Sequence, residues 1–235
     1  MSAVHFAVNF FIALFALIDP IGNAPLFAAA TAGARVAGRR LTAVYIALFS
    51  FAFLSFFFVT GLALLQFFGI SLPAFRIAGG ILLFLLGLDM ARGNLAETLG
   101  EAAGDTESLT AAAYARKRFE GLVVPFGMPL LIGPGAISTA VIYAGEAGRI
   151  GVAGFGAGVA VIAALALTIV VAFWMTGLIS RALGRIGMII VVRVLGLILC
   201  AMAVQFILAG IADSTTGVLR HDVSQPYHQQ TPGAR

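Results

Sequence analysis

The stretch FALIDPIGNAPLFA, residues 15–28, lies in the middle of an apolar run that extends from Val4 to Ala32. A run of this length is sufficient to cross the hydrocarbon core of a bilayer, which takes about 20 apolar residues. Proline removes a backbone donor and clashes with the preceding helical turn, while glycine permits the φ values that an unwound segment needs. The run therefore predicts a membrane-spanning helix that is broken near Asp19–Pro25.

Five further apolar runs follow, and the six together occupy most of the 235 residues. Hydrophobic residues make up 61% of the chain and charged residues 10%, whereas soluble domains have roughly 45–50% and about 25%. Lipid offers no partner to backbone groups, so each run is predicted to be a helix. A transmembrane β-barrel would show alternating segments of about 10 residues, a pattern that we do not find here. The predicted fold class is an all-α integral membrane protein with six transmembrane helices, at Val4–Ala32, Leu41–Phe68, Leu72–Leu88, Gly121–Ala144, Ile150–Ile179 and Met188–Ile211.

The fourth run repeats features of the first. Pro125, Pro129 and Gly133–Gly135 interrupt it, and its Leu131–Pro134 matches Leu17–Pro20. Arg193–Gly196 in the sixth run likewise matches Arg76–Gly79 in the third. Because each half holds three spans, the second half must cross the bilayer in the opposite direction, as in many secondary transporters. The sequence thus predicts two inverted three-helix repeats whose first and fourth helices are broken.

These repeats divide the chain into four parts. Residues 1–92 are predicted to form the first repeat, 93–118 a cytoplasmic linker, and 119–212 the second repeat. The remaining residues, 213–235, are polar and rich in Ser, Gln and Pro, so we expect a disordered tail.

Cations set the predicted orientation. The chain has 14 Lys and Arg residues and a net charge of +4. They cluster in loops one, three and five, at Arg35, Arg39, Arg40, Arg92, Arg116, Lys117, Arg118, Arg181 and Arg185. By the positive-inside rule these loops are cytoplasmic, which places both termini outside the cytoplasm. The cations form no basic stripe among exposed aromatics, so nucleic acid is not a predicted partner.

Each predicted break marks a candidate substrate site. A helix that restarts inside the bilayer presents backbone N–H groups and the positive end of its dipole, which together bind anionic groups. Proline kinks that only shape helix packing are the alternative interpretation. The predicted substrate-binding residues are Asp19, Gly22, Asn23, Ala24, Gly133, Gly135, Ala136, Ser138 and Thr139.

Three charged residues lie within the spans. A charge near the bilayer centre costs at least about 2.5–3.5 kcal/mol, so Asp19 is interpreted either as a cation, proton or ammonium site or as a helix cap. Together with Asn23, it is expected to cap the half-helix that follows the break. Arg76 and Arg193 lie about 6–9 Å inside their spans. Each is either an interfacial anchor or an ion-pair partner for Asp19 or for a substrate carboxylate.

Four segments of the chain resemble the MarC family of six-span inner-membrane proteins. They are Asp19–Pro25, Phe67–Ser71, Ile77–Leu83 and Pro129–Thr139, and the resemblance extends over about residues 5–212. It implies the six-span fold, a relation to small neutral amino-acid transporters and a place near the lysine-exporter superfamily.

The predicted function is secondary transport of small neutral amino acids, such as alanine, glycine, serine or threonine, coupled to a proton or sodium ion. Such a zwitterion suits the site, because N–H groups can take its carboxylate while Asp19 or unwound carbonyls take its ammonium. No cofactor or metal site is predicted, since His5, His221 and His228 are all near the termini. An ion or small-solute channel is one alternative, although no acidic ring or filter sequence supports it. An intramembrane protease is the other, and the spans provide it with no histidine except His5, at the very start of the first span.

Overall fold

The computed structural model describes residues 3–93 and 110–223, and within these ranges it contains helices and no strand. The prediction of an all-α protein is therefore confirmed. The α-helices are α1 (Ala3–Ile18), α2 (Ala24–Ala30), α3 (Val36–Phe67), α4 (Leu72–Arg92), α5 (Ala111–Leu122), α6 (Pro134–Ile150), α7 (Val152–Trp174) and α8 (Thr176–Val223). A π-helical segment, Val123–Leu131, follows α5.

Four segments are long and apolar enough to cross a membrane: Val36–Phe67, Leu72–Arg92, Val152–Leu178 and Ile189–Thr215. They correspond to the second, third, fifth and sixth predicted spans. The first predicted span consists instead of α1 and α2, and the fourth consists of the π-helical segment and α6. Each of these two spans is interrupted, so neither contributes one long continuous helix.

Local sequence explains where several helices begin and end. The side chain of Ser71 accepts a hydrogen bond from the Ala74 amide at 3.2 Å and caps the start of α4, with proline in its first turn. Thr110 caps α5 in the same way, at 3.3 Å from the Ala113 amide. Gly93 ends α4 in a left-handed conformation, with φ of 92°. These are the expected positions for hydroxyl and glycine caps.

Helices α4 and α8 form the most extensive helix pair in the described part of the chain. Glycine allows their backbones to approach closely. A Cβ at Gly87 would lie 2.8 Å from the Gly196 carbonyl oxygen, and a Cβ at Gly80 would lie 2.9 Å from the Ala203 oxygen. Small residues at such contacts are typical of helix packing in membranes. The main apolar core lies beside this pair and draws its buried residues chiefly from α1, α2, α3, α6 and α7.

Two helices extend into segments predicted as linker and tail. Residues 111–118 of the linker belong to α5, while residues 94–109 lie outside the described residues. Helix α8 continues past Asp213 to Val223, and residues 224–235 lie outside the described residues. An ion pair of 2.6 Å between Arg76 and Asp213 ties the start of α4 to this part of α8.

Candidate functional site at the two helix breaks

The first break is an ordered turn between α1 and α2. Helix α1 ends at Ile18, and Asp19 adopts a left-handed conformation with φ of 40°. One carboxylate oxygen of Asp19 accepts a hydrogen bond from the Gly22 amide at 3.0 Å. Aspartate tolerates this backbone conformation better than most residues because its short side chain can bond locally. The predicted interruption of the first span is confirmed at residues 19–23.

Asn23 acts on the helix before the break rather than on the helix after it. Its side-chain amide donates to the Ile18 carbonyl at 2.8 Å and so satisfies a carbonyl at the end of α1. It makes no side-chain cap bond to α2, so the prediction that Asn23 caps the second half-helix was wrong. The turn also satisfies most of the backbone amides near the start of α2. The Asn23 N–H donates to the Asp19 backbone carbonyl, and the Ala24 N–H donates to the Ile21 carbonyl. The first break therefore presents few free donors.

The second break has a different construction. The backbone leaves helical geometry at Val124, with φ of −124° and ψ of 126°, and again at Met128, with φ of −134° and ψ of 133°. Gly133 then adopts an extended conformation and becomes the N-cap of α6, with Pro134 as its first residue. Proline is favoured at this position because a first-turn residue has no intrahelical acceptor for its N–H. The predicted interruption of the fourth span is confirmed both at Gly133 and before Pro125 and Pro129.

The start of α6 is a buried helix N-terminus. All residues from 131 to 138 are buried. The amides of Gly135 and Ala136 lie in the first turn, where no acceptor exists within the helix. The Ser138 hydroxyl, 1% exposed, donates to the Gly135 carbonyl at 3.0 Å. This turn can therefore offer a carboxylate two amides and the positive end of a 17-residue helix.

Gly79 and Leu83 of α4 and Phe206 of α8 pack closely around that turn. A Cβ at Gly135 would overlap the ring of Phe206, and a Cβ at Gly79 would overlap the ring of Pro134. A Cβ at Gly133 would lie 3.3 Å from a methyl carbon of Leu83. Space beside the amides is consequently narrow.

The two breaks lie at similar distances from one contact between α1 and α6. The rings of Phe10 in α1 and Tyr143 in α6 stack with centroids 4.7 Å apart. Phe10 precedes the end of α1 by eight residues, and Tyr143 follows the start of α6 by nine. At 1.5 Å per residue, each break is about 12–14 Å along its helix from this contact.

Aromatic side chains pack in two groups, one on each side of the breaks along the two interrupted segments. The first group, which we call the outer layer, contains Phe6, Phe10, Phe58 and Tyr143, with adjacent centroids 4.7–5.9 Å apart. The second group, the inner layer, contains Phe27, Phe126 and Phe173, with centroids 4.4–6.2 Å apart. In the outer layer, Phe6 and Phe10 precede the first break and Tyr143 follows the second, whereas in the inner layer Phe27 follows the first break and Phe126 precedes the second. All six phenylalanines are fully buried.

Comparison with known proteins shows the family to which the chain belongs. The family described as MarC family integral membrane protein matches residues 4–215. This chain belongs to the MarC family. It is 37% identical over 201 residues to a UPF0056 membrane protein of Methanocaldococcus jannaschii, covering 86% of this chain and 93% of the relative. It is 35% identical over 211 residues to the membrane protein YhcE of Escherichia coli, covering 90% and 94%. No solved structure matches the chain.

Arg76 and Arg193, the two arginines within the predicted spans of this MarC protein, lie at opposite ends of the α4–α8 pair. Arg76 has a side chain 19% exposed and forms its ion pair with Asp213 rather than with Asp19. Arg193 is exposed, and its guanidinium approaches Gly93 at the end of α4. The structure therefore favours the interpretation of Arg76 as an anchor over that of a partner for Asp19.

Two parts of the candidate site in this MarC protein were not predicted from the sequence. Phe206 lies far from Gly135 along the chain, and no local pattern marks it as a neighbour of the second break. The aromatic layers were also missed, because phenylalanine is common throughout the spans and its spacing alone indicates only apolar helix. Leu83 had a weak signal, since it ends one of the four segments that resemble the family.

Proposed function

We propose that this integral membrane protein is a secondary transporter of small neutral amino acids, with the substrate held between the two helix breaks. The observation that carries the proposal is the buried start of α6, where first-turn amides lie between two layers of packed aromatic rings. Neutral amino acids require one site for a carboxylate and one for an ammonium. The Gly135 and Ala136 amides suit the carboxylate.

Asp19 is the proposed partner for the ammonium. Its Oδ1 is engaged by the Gly22 amide, whereas Oδ2 accepts no hydrogen bond within the described part of the chain. An exposed carboxylate at membrane depth is costly without a partner, which favours a functional role. A proton or a sodium ion at the same oxygen is the proposed coupling ion.

The walls of the site support a small substrate. Phe206, Leu83 and Gly79 lie beside the first turn of α6, so a long or bulky side chain would displace Phe206 or Leu83. Glycine, alanine, serine and threonine are the proposed substrates.

Six spans in two inverted repeats are part of this proposal. The contact of Phe10 with Tyr143 joins the first half of span one to the second half of span four. The contact of Phe126 with Phe27, at 6.2 Å, joins the first half of span four to the second half of span one. A pseudo-twofold axis in the membrane plane would relate span one to span four. Each half of one span then contacts the opposite half of the other, as these two contacts do. Alternating access then amounts to opening one aromatic layer at a time, with both termini outside the cytoplasm.

Flux measurements in proteoliposomes test this function. We expect wild type to accumulate labelled alanine or glycine under a proton or sodium gradient, with saturation by substrate. Asp19→Asn and Ser138→Ala should lower that flux, because they alter the ammonium partner and the first turn of α6. Thr176→Ala is the matched control for Ser138→Ala, since Thr176 is also buried and donates to the carbonyl three residues earlier, at 2.7 Å.

The outcome separates the proposal from its alternatives. A channel would show flux that does not saturate and no accumulation against a gradient. If wild type moves none of these amino acids under either gradient, or if Asp19→Asn and Ser138→Ala transport as well as Thr176→Ala, the proposed substrate and site are wrong.

A further inference from the structure

A groove of about 440 Å³ lies between α3 and α5, on the outer surface of the helix bundle. Its floor and walls are apolar and include Leu48, Phe49, Ala52 and Phe119. The rings of Phe49 and Phe119 meet edge to face with centroids 6.0 Å apart. Leu48 is 60% exposed. An open apolar groove on a membrane protein fits a hydrocarbon chain.

Part of the rim of the groove is polar. Tyr45, Arg116 and Glu120 line this rim. The guanidinium of Arg116 and the carboxylate of Glu120 form an ion pair at 3.3 Å, and their side chains are 82% and 64% exposed. Exposed pairs of this kind, four residues apart on a helix, contribute little stability. Each charge is therefore available to a new partner.

The rim lies where a lipid headgroup is expected. Tyr45 follows Arg40 by five residues on α3, about 7–8 Å along the helix axis. The Arg40 guanidinium lies 5.5 Å from the centre of the Trp174 ring, and the indole N–H of Trp174 donates to the Arg40 carbonyl at 3.1 Å. Tryptophan, tyrosine and arginine gather at the boundary between hydrocarbon and headgroups. The groove thus descends from that boundary into the hydrocarbon region.

We propose that this groove binds one phosphatidylethanolamine molecule. An acyl chain lies on Leu48, Phe49 and Ala52, the lipid phosphate pairs with Arg116, and the lipid ammonium pairs with Glu120. The charged rim residues are one cation and one anion, which matches a zwitterionic headgroup. Phosphatidylglycerol offers no cation to Glu120. Phosphatidylcholine offers a cation that has no N–H to donate to the carboxylate.

Fluorescence quenching by brominated lipids tests the inference. The chain has a single tryptophan, so Trp174→Phe with Leu48→Trp places the only fluorophore in the groove. The protein is reconstituted in an equimolar mixture of phosphatidylethanolamine, phosphatidylcholine and phosphatidylglycerol, with one class brominated at a time. We expect brominated phosphatidylethanolamine to quench at least twofold more strongly than either other class. Adding Arg116→Ala or Glu120→Ala should abolish that preference.

Lys117→Ala is the matched control, because Lys117 is an exposed cation on the same helix and does not line the groove. It should retain the preference. Native mass spectrometry of the unmodified chain with the same mixture provides an independent measurement, in which phosphatidylethanolamine should be the retained lipid. Equal quenching by all three classes, stronger quenching by phosphatidylglycerol, or a preference that survives Glu120→Ala would overturn the proposal.

Discussion

Replacing Gly135 by alanine places a methyl group against the ring of Phe206. The new Cβ would lie 2.7 Å from both Cε atoms of that ring, which is closer than non-bonded carbons approach. Either the ring or helix α8 must move. Overpacking of this kind typically costs about 1–3 kcal/mol.

Gly148→Ala provides the reference for this substitution. Gly148 lies on the same helix, and a Cβ there would meet nothing within 4 Å. Alanine is the better helix former by up to about 1 kcal/mol, so Gly148→Ala should be neutral or stabilising. Because both variants gain helix propensity, Gly135→Ala is expected to be less stable than Gly148→Ala by about 1–3 kcal/mol.

Equilibrium unfolding by SDS in mixed micelles, followed by circular dichroism, measures that difference. In a Phe206→Ala background, Gly135→Ala should cost less than in wild type, with a coupling of about 0.5–3 kcal/mol. Equal stability of Gly135→Ala and Gly148→Ala, together with no coupling to Phe206, would refute the close packing of α8 on the second break.

Three further predictions concern the ends of the bundle. Burial raises the pKa of Tyr114 above its usual 10.0, although Arg118 and Arg39 lower it in part. The stabilisation from the neutral phenol should therefore be complete below pH 10.0 and decline as pH rises through the folded pKa, and unfolding of Tyr114→Phe should show a smaller alkaline loss. A double-mutant cycle on Arg76 and Asp213 should give a coupling of about 0.5–1 kcal/mol in the same unfolding assay, and the more exposed Arg116–Glu120 pair should give less; equal values would argue against the tie between α4 and α8. In a Cys200→Ser background, cysteines at Arg39 or Ala112 should resist impermeant maleimide in intact cells and a cysteine at Ser71 should react, whereas the reverse pattern would invert the predicted orientation.

Much of the fold was predictable from local sequence. Length and hydropathy predicted the helices that became α3, α4 and α7, because transfer of an apolar run into lipid depends on the run itself. Proline and glycine predicted the two interruptions, since their effect on a helix is also local. Ser71 before Leu72-Pro73 is similarly a local start signal for α4.

The candidate site was predicted in part. Gly133, Gly135, Ala136 and Ser138 do lie together at the start of a buried half-helix. The predicted role of Asn23 was wrong. Its side-chain amide could bond either to the start of α2 or to the end of α1, and the turn at Asp19 brought the Ile18 carbonyl within reach. Local sequence identifies the polar group but not which neighbouring helix end it satisfies.

The sequence by itself determined that this protein is an integral membrane protein of the MarC family, with broken helices at Asp19 and Gly133. Only the tertiary structure decided the partners: Asp213 for Arg76, Phe206 for Gly135, and Tyr143 for Phe10. The physical reason is one of range. Partition into lipid and helix breaking act within a few residues, whereas an ion pair or a ring contact depends on how separate helices pack, and many apolar faces of similar composition compete for each position.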